Sequence, residues 1–436
     1  TVTADDIGGS PSWPTRAISA ILAALTANES PPDPVAFDCD VLIVGSGPSG
    51  SSTALHLARL APELRVLVLE RGHHPRPKLC GGGLVADADI CLQNLGLDVR
   101  EVAHVDAEWA NLHYRGVGNR MRLGAIAFHV VRRLDFDRWL VDKVRAAGVD
   151  VREGVRVRGV APGPDGAVVD TDRGPVRARV VIGADGSKGV VRRAVAPDTG
   201  SVARLLELIT PPPAPGRVPE AEAIFEFAWA PRGVQGYFWS FPTVIDGRPM
   251  RNWGVYDSRI APRPSGGSLK EVLREALAGY GLDLDEHHLE GHPIRLFDPR
   301  GELACPSVLL VGDAAGADAA FGEGISPALG YGELAAAAVR DAFARRDFTF
   351  AGYRRSVLRS PLGRSLVRRA RLARLIYGLE SPAAHALVWR HLGPLLRWVV
   401  RAQVFNWARP ARPQPALRGR SSGTATLAPY TKTCSR

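Results

Sequence analysis

Three glycines, Gly45, Gly47 and Gly50, stand at G-x-G-x-x-G spacing directly after the apolar run Val41-Leu42-Ile43-Val44, with Pro48 and Ser49 between the last two. Glu70 ends a second apolar run, Val66-Leu67-Val68-Leu69, twenty residues past Gly50. This combination suits the binding of a dinucleotide. The first glycine permits a tight turn, and the second lets backbone N–H groups approach a pyrophosphate. The third lets the next helix pack close, its positive N-terminal end toward the phosphates. A carboxylate ending the second strand can accept hydrogen bonds from a ribose. In a chain with 46 glycines the triplet alone is weak. Strand, turn, helix, strand and terminal acid within one unit of about 30 residues form a much stronger pattern.

Other reactive residue types gather in a few places. Lys78-Leu79-Cys80 precedes three consecutive glycines, Gly81, Gly82 and Gly83. Such a run is a poor interior for helix or strand; it reads either as a surface loop or as backbone that must lie close to a flat ligand. Two further apolar runs end in small-residue turns with an aspartate, at Gly183-Ala184-Asp185-Gly186 and at Gly312-Asp313-Ala314-Ala315-Gly316. Aspartate in such a turn is also a common cap. Tyr237-Phe238-Trp239-Ser240-Phe241-Pro242 either walls an apolar tunnel or alternates across an ordinary strand. The five cysteines, Cys39, Cys80, Cys91, Cys305 and Cys434, show neither metal-site pairing nor a disulfide framework, so no metal is expected and a reducing, cytoplasmic setting fits. Cys80 is the one with a candidate role, as acid or redox group, against the reading as a small buried thiol.

The elements that must position these groups follow from period and punctuation. Residues 51–60 read as the helix of the nucleotide unit, and residues 133–147 as a helix stopped by Gly148. Strands are expected at 149–151, 155–160, 167–170, 176–178, 222–227, 237–241 and 252–256, and helices at 269–280 and 326–343. Residues 1–36, with a short helix at 13–27, form an appendage; 351–407 are helical and arginine-rich; 408–436 lack large apolar side chains and read as a disordered tail. With 436 residues, 45% of them hydrophobic and 23% charged, the chain holds two or three globular cores. No secretory signal or spanning helix is evident. The net charge of +10 sits at the C-terminus, where residues 340–436 carry 20 basic against 3 acidic residues. That region suits either an anionic membrane surface or a solvated face in an arginine-preferring composition; no nucleic-acid-binding motif accompanies it.

In order and separation, Gly45 to Gly50 with Glu70, the Asp185 turn, and Gly312-Asp313 with Gly322-Glu323-Gly324-Ile325 resemble the three FAD motifs of the para-hydroxybenzoate-hydroxylase-like flavoproteins. Within them, the Lys78 to Gly83 loop and the Y-x-W-x-F-P run from Tyr237 resemble the geranylgeranyl reductases. The resemblance implies an α/β protein: a Rossmann-like FAD-binding domain (37–200 and 295–345), an inserted mixed β-sheet substrate domain (201–294 with parts of 85–130), and a C-terminal helical region (346–407). It implies FAD held by Gly45, Gly47, Pro48, Ser49, Gly50, Glu70 and Arg71 at the adenosine and pyrophosphate end. Lys78, Cys80, Gly81, Gly82, Arg133, Val155, Asp185 and Gly186 continue the set, and Gly312, Asp313, Gly322, Glu323, Gly324 and Ile325 complete it.

Cys80, Tyr237 and Trp239 are the implied catalytic residues, reduced flavin passing a hydride to a double bond of an isoprenoid or related lipid. Such an addition also needs a proton donor. NAD(P)H or ferredoxin is the expected reductant, since no second nucleotide unit is visible. Two alternatives stay open on this scaffold: a monooxygenase or halogenase, and an inactive flavoprotein with a lipid-binding or assembly role. A lipid substrate would place the protein peripherally on the inner face of a membrane. Three departures from the reductase pattern, Gly189, Tyr256 and Ala319-Ala320-Phe321, fall on the substrate side.

Overall fold

The computed structural model describes residues 37–122, 124–196, 200–264 and 266–410. The expected appendage 1–36 with its helix at 13–27, and residues 411–436 of the expected tail, lie outside them.

Strand Cys39–Val44 is the centre of an eight-stranded sheet. It pairs in parallel with Val176–Gly183 on one side and Val66–Glu70 on the other. A strand covered on both faces must be apolar at successive positions, and Val41, Leu42 and Ile43 are each 0% exposed. Burial of each contributes about 1.5–3 kcal/mol. Val308–Leu310 and Asp150–Glu153 extend the parallel order outward. The hairpin Val157–Gly163 with Gly166–Thr171 branches off antiparallel. The strand expected at 176–178 and the apolar run after it are one strand, Val176–Gly183, because pairing to Cys39–Val44 continues through both.

Helix Pro48–Leu60 lies against the long helix Ile325–Arg345, whose alanines and glycines let the two axes approach. Ser52 Oγ donates to the Leu329 carbonyl at 2.7 Å, and a Cβ on Gly332 would stand 2.4 Å from Ser52 Oγ. Since the core strands are parallel, their C-terminal ends, at Val44, Glu70, Gly183 and Leu310, share one edge. That edge is where an α/β sheet places its ligand.

The second sheet has seven strands in the order Glu290–Arg295, Val202–Thr210, Arg248–Asp257, Gly236–Ile245, Glu222–Glu226, Trp109–Tyr114, Val117–Met121. A three-stranded sheet joins Gly83–Leu84, Phe128–Val131 and His104–Ala107. Between residues 85 and 130 the sequence carries too little alternation to announce these strands or the helix Ala86–Asn94. They form because partners distant in sequence complete the ladders, as Trp109–Tyr114 does in parallel with Glu222–Glu226.

The C-terminal region is helical at Tyr353–Arg359, Pro361–Tyr377, Pro382–His391 and Gly393–Val399, followed by a π-type turn at Val400–Val404. Ser360 and Ser381 cap two of these helices through Gly363 and Ala384 N–H, each with proline at the first helical position. Helix Pro361–Tyr377 buries Leu362, Leu366, Arg369, Ala370, Ala373 and Tyr377 at three- and four-residue spacing. Leu375, Leu387, Leu395 and Trp398 are left 68%, 56%, 52% and 59% exposed. The start of the expected tail belongs to the core: Ala408 is buried, and the N–H groups of Trp407 and Ala408 both donate to Asp87 Oδ1, at 3.0 and 2.9 Å. Among the described residues no helix is long and apolar enough to cross a membrane.

Candidate functional site

A cavity of about 990 Å³ opens at the C-terminal edge of the parallel strands and runs into the second sheet. That is the upper end of the roughly 300–1,000 Å³ usual for small-molecule sites. At one end the glycine turn is closed by its own backbone. Gly45 has φ +101°, and a Cβ there would stand 2.4 Å from the Ala184 carbonyl oxygen; one on Gly50 would stand 1.9 Å from the Gly45 carbonyl oxygen. Gly47 faces the cavity, and its Cβ position meets only the guanidinium tips of Arg76 and Arg133, at 3.8 and 3.9 Å. Two guanidiniums over the N-terminus of helix Pro48–Leu60 complement a pyrophosphate. Arg133 is aimed by the fully buried Asp137, one turn along its own helix, through bonds of 2.7 and 2.8 Å. Glu70 accepts from Ser46 N and Oγ at 3.1 and 2.8 Å and from Gly72 N at 3.0 Å, with Arg76 3.3 Å away. Burial pushes its pKa up, but Arg76 and those donors outweigh it and hold the carboxylate below its ordinary value. Among the described residues the buried Arg76 Nε has no hydrogen-bond partner. The donor set, the glycine cradle and this orphaned N–H fit an anionic dinucleotide.

The loop of Lys78 to Gly83 forms one side of the middle of the cavity. Gly82 holds φ +78° with the Val131 carbonyl 2.0 Å from where a Cβ would be, so only glycine closes this loop onto strand Phe128–Val131. Lys78 Nζ donates to His292 Nε2 at 2.6 Å. Burial lowers the pKa of Lys78, and burial followed by the Lys78 charge lowers that of His292 to about 4, which leaves a neutral imidazole as acceptor. The Cys80 Sγ accepts from Gly82 N at 3.4 Å, and burial raises its pKa, so it stays a thiol. Behind it lies Glu207, which accepts from Asn252 Nδ2 at 2.9 Å and from the Cys80 backbone N–H. Burial pushes its pKa up to about 7, and among the described residues its Oε2 has no hydrogen-bond partner.

Beyond the loop the cavity becomes aromatic, lined by Phe128, Phe225, Tyr237, Trp239, Phe241, Phe321 and Phe405. Phe225 stands 5.2 and 5.0 Å from the rings of Tyr237 and Phe241. The polar tips are spent elsewhere: Tyr237 OH donates to the Phe321 carbonyl and Trp239 Nε1 to Asn252 Oδ1 at 2.7 Å. The three departures from the reductase pattern have packing reasons. Tyr256 is buried against Gly322 and donates to the Ala319 carbonyl at 3.2 Å, while Tyr377 OH donates to the Ala320 carbonyl at 2.6 Å. Gly189 leaves room for Asp185, whose Oδ1 would be 2.0 Å from a Cβ there.

The structure brings nearly all the expected residues to this one cavity, Arg71, Val155, Gly186, Asp313, Glu323, Gly324 and Ile325 among them. Gly50 and Gly312 are the exceptions: they sit behind the wall as close-packing positions, a Cβ on Gly312 meeting Ser49 Oγ at 2.5 Å. Asp185 borders the cavity, but its Oδ2 accepts from Val191 N at 2.9 Å and so caps the helix Val190–Val195; burial raises its pKa to about 6. Sequence reasoning missed Arg76, Asp137, Glu207, Asn252, His292 and Arg369. Arg369 is 1% exposed and reaches Glu323 Oε2 at 2.7 Å, Asp318 Oδ2 at 3.6 Å and Asp87 Oδ2 at 3.8 Å, tying the C-terminal helices to the glycine turn beside the cavity. Only Asp137 carried a local signal, its i+4 spacing from Arg133.

The doubly wound sheet, the glycine cradle and the three strand-end motifs define an FAD-binding oxidoreductase. Residues 38–224 match the family model described as "FAD binding domain". A menaquinone reductase of Mycolicibacterium smegmatis is 30% identical over 68% of this chain and 75% of its own. A geranylgeranyl diphosphate reductase of Rhodobacter capsulatus is 30% identical over 69% and 74%. The solved structure of a geranylgeranyl bacteriochlorophyll reductase-like protein from Thermoplasma acidophilum shares the fold at TM-score 0.67, with 22% identity over 84% of this chain and 92% of that one. The chain belongs to the geranylgeranyl reductase family of FAD-dependent oxidoreductases, as its motifs imply, and FAD is its cofactor.

Proposed function

We propose that this enzyme saturates carbon–carbon double bonds of an isoprenoid lipid. The observation that carries the reading is the aromatic arm, continuous with the cofactor groove, whose polar tips are internally bonded so that only ring faces and edges meet the ligand. Bound FAD supplies hydride transfer. The chain supplies the rest. Glu70, Arg76 and Arg133 hold the dinucleotide, Tyr237 and Trp239 hold the chain of the substrate, and the aromatic wall keeps water away. The Cys80 thiol keeps its proton at neutral pH and stands in the cavity wall, which supports it as the donor of the proton that completes the addition. Glu207 and Asn252 grip the backbone of Cys80 and so position it. The exposed Leu375, Leu387, Leu395 and Trp398, interleaved with Arg374, Arg390 and Arg397, support docking of the C-terminal helices on an anionic bilayer from which such a substrate is drawn.

The test is anaerobic single-turnover reduction of polyprenyl lipids by dithionite-reduced enzyme, followed by mass spectrometry. Products heavier by two hydrogens support the reading. Products formed only with oxygen, carrying an added oxygen or halogen, would replace it with the monooxygenase or halogenase reading.

A further inference from the structure

We infer that His104, Asp106 and His129 form a zinc-type metal site on the outer face of the three-stranded sheet, separate from the catalytic cavity. The pleat places the ligands. His104 and Asp106 are two residues apart on strand His104–Ala107 and so share a face, and Asp106 pairs directly with His129 on strand Phe128–Val131. His129 Nδ1 lies 2.7 Å and His104 Nε2 3.6 Å from Asp106 Oδ1, and all three donor atoms fall within 4.8 Å of one another. Ligands at Zn distances of roughly 2.1 Å in a tetrahedron stand about 3.4 Å apart, so small shifts convert one arrangement into the other.

The second observation is the set of partners that hold the imidazoles. His104 Nδ1 lies 2.7 Å from the Val102 carbonyl, an acceptor only, so Nδ1 donates there and Nε2 is the nitrogen turned to the Asp106 carboxylate. His129 has a carboxylate at each nitrogen, Asp106 at Nδ1 and Asp89 Oδ2 3.5 Å from Nε2. Each histidine has its other nitrogen already engaged, one by a backbone carbonyl and one by a carboxylate, the outer partners that orient metal-bound imidazoles. None of the three residues lines the cavity. The fourth position is open to water on the side of Asp106, about half exposed.

Such a metal bridges two adjacent strands. Val131, two residues beyond His129, donates its N–H to the Gly82 carbonyl at 3.0 Å. Clamping the two strands therefore steadies the strand onto which the Lys78 to Gly83 loop closes.

The test is calorimetric titration of Zn²⁺ into tag-free, FAD-loaded full-length protein at neutral pH, with Co²⁺ spectroscopy alongside. We expect one site per chain, and visible d–d bands of four-coordinate Co²⁺ in the unmodified protein. His129→Asn and Asp106→Asn should abolish both, and Asp89→Asn should weaken binding about 10–100-fold by removing the outer carboxylate. His113→Gln, in the Glu226 pair on the other sheet, should leave both unchanged. Absence of binding, Co²⁺ bands of six-coordinate type, or a site that survives His129→Asn in folded, flavin-loaded protein would overturn the proposal.

Discussion

Replacing Arg369 with methionine removes one guanidinium from among three buried carboxyls. Glu323, Asp318 and Asp87 are 9%, 0% and 1% exposed in their side chains. Each keeps other donors: Asp318 the N–H groups of Ala320 and Phe321, Asp87 those of Trp407 and Ala408, and Glu323 that of Ser326. The loss is therefore of charge compensation more than of hydrogen bonds. Deleting one partner of a buried ion network costs about 3–5 kcal/mol, which in a protein of this size lowers Tm by roughly 3–6 °C. The deficit should depend on pH. Burial lifts Asp87 from 3.8 to about 6 and also raises Asp318. A carboxyl raised in the folded state contributes stability that is present below its unfolded pKa and is lost as pH rises through the folded value. Without the guanidinium both groups shift higher, so protons replace the missing charge at about pH 5 and the variant approaches the parent there. Urea and thermal unfolding at about pH 8 and about pH 5, with flavin release as a second readout, measure this. A variant within 1 kcal/mol of the parent at the higher pH, or a deficit equal at both, would refute the reasoning.

Three further outcomes follow from the same geometry. Gly50→Ala forces a Cβ to within 1.9 Å of the Gly45 carbonyl oxygen, so the purified protein should lose most of its yellow flavin and about 1–3 kcal/mol of stability, read from absorbance and unfolding curves. Glu207→Gln keeps an acceptor for Asn252 and the Cys80 N–H but cannot ionise, so any change in the single-turnover rate between about pH 6 and pH 8 in the parent should be flattened in the variant; an unchanged pH profile would exclude titration of Glu207 from the reaction. Trp398→Ser, with Leu395→Ser, should weaken co-sedimentation with anionic vesicles about 10–100-fold while leaving turnover of a detergent-dispersed substrate intact.

The cofactor half of this protein is legible without coordinates because its determinants are local. A turn that requires φ +101° at Gly45, a strand buried on both faces at Val41 to Ile43, and a helix expected from Ser51 that begins already at Pro48 all act over a few residues, and so they leave spacing in the sequence. Ser360-Pro361 and Ser381-Pro382 begin helices by the same kind of local capping chemistry, within a region for which only helix over 351–407 is expected. The strands between residues 104 and 131 left no such mark, since their faces are completed by partners from Gly83–Leu84 and Glu222–Glu226.

What tertiary structure alone decided is which lone polar residues meet. Arg369 looks like any other of the C-terminal arginines until the helix packs and carries it to Asp87, 282 positions earlier in the chain. Glu207 reads as a strand surface position until the loop of Cys80 and Asn252 bury it and shift its titration to about 7. His104, Asp106 and His129 share a face only through antiparallel register. Sequence spacing encodes backbone conformation because sterics and hydrogen bonding act between near neighbours. The pairing of single charges across the fold depends on burial and distance, which exist only once the chain has closed on itself.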